Sequence, residues 1–355
     1  MIFNAADFDD HESIHAFHDA AAGLKSYIAI HSTAKGAATG PTRMWAYPDE
    51  PSAISDALRL AETMSTKTAL AGVDLGGGAA VIIGSSQSGK SPALFGAFGR
   101  AVQSLGGRYW AANEVGVTPP DFMDAAKSTR FLIGMPGQPS TVPDPTSVAV
   151  EGVKRGIELC VRLSLGKELA DVSVAIQGVG QLGGRLADAL SAAGARLVVC
   201  DLDAERAKEV ALRTGARVVS PGAIFEVPAD VFAPCALGSA INSRTLPLLK
   251  APIVAGGANN QIANDVIRDA MHERGLIYAP DMVINGGRVI ASAAEIRAFA
   301  AGGAYDHAWI EARLAALMVT LESILRRAHG ERRPAADVAI EIAKSRIVEA
   351  KQEAA

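Results

Sequence analysis

Cysteine is scarce in this chain, with three in 355 residues. Cys160, Cys200 and Cys235 stand singly in apolar surroundings without Cys-x-x-Cys spacing. That excludes a disulfide framework and a thiolate zinc site, and it points to a reducing cytoplasm. No charge of one sign dominates: the net charge is -4 and both signs are interspersed, so neither a basic footprint for nucleic acid nor a polybasic stretch for a membrane is present. No run of about eighteen apolar residues occurs, and residues 1–10 are acidic with no apolar segment behind a basic start, so neither a membrane span nor an export signal is expected. Small molecules are the expected partners. His11, His15 and His18 lie at helical spacing, but Glu12, Asp19 and the neighbouring alanines predict a solvated surface helix and no metal face. Trp45, Trp110 and Trp309 form no helical stripe and are assigned to packing. No internal repeat or low-complexity segment stands out.

A chain of this length exceeds what one hydrophobic core fills, so two domains are expected. Apolar patterning predicts strands at 26–31, 80–83 and 109–111, alternating with helices at 51–64, 92–105 and 119–126, each of the last two opening with proline. Residues 134–146 turn to Gly, Pro, Gln, Ser and Asp, which suits an interdomain loop. A helix over 148–163 then leads to four short apolar runs, at 172–176, 197–200, 231–232 and 253–254, of the kind that build a buried parallel sheet. Segments 312–326 and 335–350 read as closing helices. The expected domains are 1–140, 141–330 and a C-terminal helix over 331–355 that packs back on the first.

Gly178-Val179-Gly180-Gln181-Leu182-Gly183 follows the apolar run ending at Ile176 and opens a helix through Leu186 and Leu190. In such a turn one glycine permits the bend, the next lets the backbone approach a pyrophosphate, and the third lets helix and strand pack closely, with the helix N-terminus facing the anion. Asp201 ends the following strand, where a carboxylate accepts hydrogen bonds from ribose hydroxyls and repels a 2′-phosphate. NAD is therefore the expected cofactor, while Arg206 nearby leaves NADP open.

Gly40-Pro41-Thr42-Arg43-Met44-Trp45, Met64-Ser65-Thr66-Lys67, Leu75-Gly76-Gly77-Gly78, Gly106-Gly107-Arg108-Tyr109 and Glu114-Val115-Gly116 appear in order in the first half. Ala233-Pro234-Cys235-Ala236-Leu237-Gly238, Gly257-Ala258-Asn259-Asn260-Gln261, Tyr278-Ala279-Pro280-Asp281 and Ile284-Asn285-Gly286-Gly287 follow in the second. Across nearly its whole length the chain resembles the Glu/Leu/Phe/Val amino acid dehydrogenase superfamily, most of all the leucine, valine and phenylalanine branch. The resemblance implies an N-terminal α/β substrate and oligomerisation domain, a C-terminal Rossmann-type NAD-binding domain and a cleft between them. It implies reversible oxidative deamination of an aliphatic or aromatic L-amino acid to its 2-oxo acid and ammonia, in a homo-oligomer. By position, Lys67 matches the lysine that holds the substrate carboxylate. Asn260 matches the asparagine that reaches the amino group, and Asn259 and Asn285 match cofactor contacts, as do Leu202, Cys235, Ala236, Leu237 and Ala258. Thr39, Met64, Ala112, Val289 and Ser292 map to the side-chain pocket, and Gly40 and Pro41 to the region of the carboxylate.

The departures are informative. Where the family carries a second lysine, which polarises the carbonyl or imine, this chain has Ala79, and the family's proton-shuttling aspartate is matched by Glu114, one methylene longer. Pro41 replaces a glycine whose amide lies near the carboxylate, and Ala149 a threonine near the nicotinamide. An alanine offers no donor and no charge, so strongly reduced deamination is expected. A single replaced lysine and a paralogue drifted at several site positions both fit the pattern. The alternatives are a non-catalytic NAD and amino acid binding homologue and an NAD-linked imine reductase.

Overall fold

The computed structural model describes residues 2–353, which divide into two compact units. The first comprises the described residues up to Pro143, Ser292–Trp309 and the described residues from Ala343; the second comprises Asp144–Ala291 and Ile310–Ile342. Contiguous domains were expected, and the observed units are discontinuous. The cause is long-range contact that no local pattern records: the Glu295 carboxylate accepts the Gly134 and Val142 N–H groups at 2.8 and 3.0 Å, and Phe299 packs edge-on against Trp110.

The first unit starts with β1 (Ser13–Asp19), β2 (Leu24–Ser32) and β3 (Ala38–Trp45), then α1 (Glu50–Ala71), β4 (Gly76–Ile83), α2 (Pro92–Ser104), β5 (Tyr109–Asn113) and α3 (Pro119–Ala125). Its sheet has the order β1-β2-β4-β3-β5, antiparallel from β1 to β4 and parallel from β4 to β5. α1 is set by Asp49, whose side chain accepts the Ser52 N–H at 2.8 Å, and by Pro51 in its first turn; it stops at Gly72, whose φ of 65° suits glycine. Successive β4 side chains serve opposite faces, as strand geometry requires. Ala79 and Val81 pack with Ala53, Ala57 and Ala61 of α1, whereas Ala80 and Ile82 join Phe95, Phe98 and Phe122 of α2 and α3. Late in the chain, Arg346 donates to the Ala69 and Leu70 carbonyls at the end of α1.

The second unit runs α4 (Pro145–Leu165), β6 (Ser173–Gln177), α5 (Gln181–Ala192), β7 (Arg196–Cys200), α6 (Ala204–Thr214), β8 (Arg217–Val218), β9 (Val231–Pro234), β10 (Ile253–Val254), α7 (Asp265–Glu273), β11 (Ile277–Tyr278) and α8 (Asp281–Ile284). The chain closes with α9 (Gly287–Ala300), α10 (His307–Glu331) and α11 (Ala335–Glu353). The six strands of this unit are all parallel, in the order β11-β10-β9-β6-β7-β8. From β6 the chain builds outward through β7 and β8 on one side, then returns to build β9, β10 and β11 on the other. Strand order therefore reverses between β6 and β9, the position at which open parallel sheets offer a crevice at their carboxyl ends.

Two expectations need correction. His11, His15 and His18 are not on a helix: residues 13–19 form the edge strand β1, because pairing along its length with the apolar β2 outweighs the helical spacing. Trp45 does not pack: it ends β3 with 52% of its surface exposed, while Trp110 is core. Among the described residues no cluster of three potential ligands could hold a metal ion, and no helix is long and apolar enough to cross a membrane.

His11 is instead buried beside His31, with ring centroids 4.8 Å apart. Its Nδ1 accepts the Asp9 N–H, so Nε2 is the nitrogen that donates to the Leu58 carbonyl, and both bonds need the neutral ring. Burial, then the charge His11 would carry, push the His31 ring down to about 4. A histidine lowered in the folded state supports stability above its ordinary pKa of 6.5 and loses that support as pH falls toward 4. The loss amounts to roughly 3 kcal/mol. In urea titrations between pH 7 and 4, His31→Phe should show a shallower fall in stability than wild type, and parallel curves would show that His31 does not carry the slope.

Candidate active site

In the second unit the proposed cofactor residues gather at the carboxyl ends of β6, β7, β9 and β10. Backbone bonds tie these ends together: Gln177 O accepts from Cys235 N, Gly178 N donates to Cys200 O, and Ala258 N donates to Pro234 O, all within 2.9 Å. Gly178 has a φ of 87°, and a side chain there would strike Ala236. A Cβ on Gly183 would fall 1.9 Å from the Gly178 carbonyl, so close packing of turn and helix excludes any side chain. Gly180 differs, since a Cβ there would meet nothing within 4 Å. Gly180 is also the N-cap of α5, and no side chain caps this helix. Gln181 and Leu182 open it, and Leu182 lies against Gly257.

Asp201, just past β7, accepts the Val179 N–H at 2.8 Å and the Asp203 N–H at 2.9 Å. Arg206 pairs with both Asp201 and Asp203. Leu202 and Leu237 project into solvent, 90% and 85% exposed. Deeper in the sheet end, Asn285 donates through Nδ2 to Asn259 Oδ1 at 2.8 Å, while its own Oδ1 is buried without a partner, as is Oε1 of Gln261. Burial pushes the Cys235 thiol up to about 12, so it is no nucleophile.

In the first unit Gly77 of β4 lets α1 approach, while Gly78 makes room on the strand's other face. A Cβ on Gly77 would fall 2.0 Å from the Ser65 amide, and one on Gly78 2.9 Å from the Tyr109 ring. On β3, a Cβ on Gly40 would fall 1.8 Å from the Gly78 carbonyl and 2.9 Å from Met64 Cγ. This close fit brings Thr39, Gly40, Met64 and the β4 glycines together, with half-buried Lys67 one turn beyond Met64 on α1. Thr39 is buried and its hydroxyl donates to the Trp110 carbonyl at 3.2 Å. Ala112 pairs with Pro41 in the register of β3 and β5. Ala79 is fully buried in a seam formed with Ala29, Ala53, Ala57 and Ala61.

Glu114, one residue past β5, is engaged. Its carboxylate accepts Arg43 Nε at 3.0 Å and the Val115 N–H at 2.7 Å, and Arg43 also bridges to Asp56 at 2.8 Å. Tyr47 donates to Asp56 in turn, and burial followed by that bond raises its phenol above the ordinary range. Sequence reasoning missed this network, although Arg43 stood inside a quoted motif; ion pairing across 71 residues leaves no periodic signal. The network borders a hollow of about 590 Å³ that includes the exposed Trp45 and Val115. A second hollow of about 400 Å³ is bounded by Trp110, Arg130, Glu295 and Phe299. Thr39, Met64, Ala112 and Ser292 line neither. In the second unit, Val289 is buried, and Ala149 is pressed beneath Gly287, where a Cβ would fall 2.8 Å from the Ala149 Cα.

Known proteins match this arrangement along most of the chain. A family model described as the Glu/Leu/Phe/Val dehydrogenase dimerisation domain matches residues 11–132, and one described as glutamate/leucine/phenylalanine/valine dehydrogenase matches residues 199–354. A leucine dehydrogenase of Bacillus cereus is 43% identical over 296 residues, covering 83% of this chain and 81% of its own. A valine dehydrogenase of Streptomyces albus is 39% identical over 350 residues, covering 98% and 94%. The crystal structure of an L-tryptophan dehydrogenase from Nostoc punctiforme superposes with a TM-score of 0.85 at 34% identity, covering 96% and 97%. With its two-unit α/β architecture, its Rossmann-type sheet and these relatives, the chain belongs to the Glu/Leu/Phe/Val dehydrogenase family of oxidoreductases.

Proposed function

We propose that this protein binds NAD at the carboxyl edge of the second unit's sheet and an aliphatic or aromatic L-amino acid, or its 2-oxo acid, beside α1 and β4 of the first, and that it carries out oxidative deamination at a strongly reduced rate. The observation that carries the cofactor half is Gly180, an uncapped helix start whose missing side chain faces open space. The α5 amides would hold the pyrophosphate there, helped by the helix dipole. Asp201 would accept the adenosine ribose hydroxyls, with Leu202 and Leu237 supplying apolar contact. Cys235, Ala236, Ala258, Asn259 and Asn285 would line the rest. NAD, when bound, supplies hydride acceptance and return at its nicotinamide.

The remaining chemistry belongs to this chain's side chains. Lys67 would neutralise the substrate carboxylate, an attraction that strengthens as water is excluded. Asn260 would hydrogen-bond the amino nitrogen. Thr39 spends its hydroxyl on Trp110, so on the first unit Met64 and Ala112 would offer the substrate side chain apolar surface, and Ser292 one hydroxyl. Beside Gly40 and Pro41, the proline offers no N–H to the carboxylate. Ala79 cannot stabilise an oxyanion, and Glu114 can move a proton only by giving up Arg43. That ion pair favours the second reading, a homologue that binds but does not turn over. The first unit would serve assembly into a homo-oligomer, a role supported by the dimerisation family model over residues 11–132.

Three outcomes test this. Gly180→Ala should stay folded, because a Cβ there meets nothing within 4 Å, yet lose NAD affinity by at least tenfold, or about 1.4 kcal/mol, in calorimetry. Unchanged affinity would remove the turn from the cofactor site. Asp201→Ser should weaken NAD by roughly 10- to 100-fold, the worth of hydrogen bonds to a charged group, and narrow its advantage over NADP now that Arg206 loses a partner. An NADP preference in the wild type would overturn this assignment. Ala79→Lys, assayed with leucine, valine, phenylalanine and tryptophan, should raise deamination by about 10²- to 10⁴-fold while lowering the melting temperature, since the stem enters a packed alanine seam. A folded Ala79→Lys variant that binds NAD but gains no rate would favour the non-catalytic reading.

A further inference from the structure

Asn260 is one of four non-glycine residues with positive φ among those described, at 50°. A left-handed asparagine persists only where its surroundings hold it. Both peptide groups of this residue are held. Its N–H donates to Asp281 Oδ2 at 2.5 Å, and its carbonyl accepts the Ser239 N–H at 2.6 Å. The next residue, Gln261, is fully buried and donates through Nε2 to the Gly256 and Ala258 carbonyls, which closes the turn from behind. The side chain of Asn260 itself is exposed.

Asp281 is in turn fixed. The buried Tyr278 donates its hydroxyl to Asp281 Oδ1 at 2.9 Å, and the Tyr278 hydroxyl oxygen accepts the Asp281 N–H at 3.1 Å. One carboxylate oxygen is thus committed to the phenol and the other to the Asn260 amide. Tyr278 ends β11, paired with β10, whose following loop carries Asn260. The clamp therefore joins two neighbouring strand ends of one sheet. The motif Tyr278-Ala279-Pro280-Asp281 had no function assigned from sequence.

We infer that Asp281 and Tyr278 are positioning residues for Asn260: they hold its backbone in the left-handed turn that presents its carboxamide to the amino group of a bound L-amino acid. The inference rests on the reading of Asn260 given under the proposed function. Asp281 touches neither ligand in this scheme. Losing the carboxylate frees the turn to relax toward ordinary φ, and the carboxamide swings away from the amino group. Losing the phenol leaves the carboxylate in place but free to rotate, so its effect is smaller.

The test measures binding to the full-length protein with NADH present, using L-leucine and 4-methylpentanoate, which has the same carboxylate and side chain without the amino group. Asp281→Asn should bind L-leucine about tenfold more weakly, Tyr278→Phe about threefold, and neither should change affinity for 4-methylpentanoate or NADH by more than about twofold. Unchanged L-leucine affinity in a folded Asp281→Asn variant would overturn the inference, as would equal losses for both ligands, which mark a merely structural role. Asn260→Ala separates the two layers: if it binds L-leucine as well as wild type does, the reading of Asn260 fails and the clamp loses its purpose. If Asn260→Ala is impaired and Asp281→Asn is not, only the clamp fails.

Discussion

The close approach of α1 to β4 is the constraint on which the first unit depends. Gly77 removes the side chain that would hold the helix off the strand, and the helix backbone then lies where its Cβ would stand. Two consequences follow from one contact. Met64 is carried against Gly40 of β3, and the adjoining seam must be lined by small residues, as Ala29, Ala53, Ala57, Ala61 and Ala79 line it. A residue at position 79 is therefore caught between packing and chemistry. Alanine satisfies the packing alone.

Glu114 makes a related point about length. A carboxylate that reaches Arg43 joins a network with Asp56 and Tyr47, and partly buried charged groups with good geometry are held firmly. On the proposed reading, the position that would relay a proton is thereby engaged in structure. Ala79 and Glu114 lie in the same unit and depart in the same direction, each fitting its surroundings better than it fits an acid–base role.

Much of the fold was legible because its signals are local. Proline in the first turn marked α2 and α3, apolar residues at helical spacing marked α1, and the run from Val172 to Ile176 marked the central strand of the parallel sheet. What escaped was non-local. β4 begins at Gly76, inside a glycine run that carries no apolar alternation, and β8 and β11 are two residues each, too short to show any period. β1 was masked by its histidines, since spacing along a chain cannot reveal which neighbour will pair with it. The candidate site divides in the same way. The glycine turn and Asp201 could be read in order along the chain, whereas the Arg43 network and the burial of Ala79 exist only once β3, β4, β5 and α1 have met.

The bare start of α5 has a bearing on the life of the protein as well as on its chemistry. A helix whose first amides have no side-chain partner is left incomplete by its own sequence, and an anion that supplies the missing acceptors becomes part of the fold. A ligand that binds only the folded chain adds stability that grows with its concentration, about 2.7 kcal/mol at a hundredfold excess over Kd. On the proposed reading, the supply of dinucleotide would then govern how long each copy survives, even in a chain whose turnover has faded.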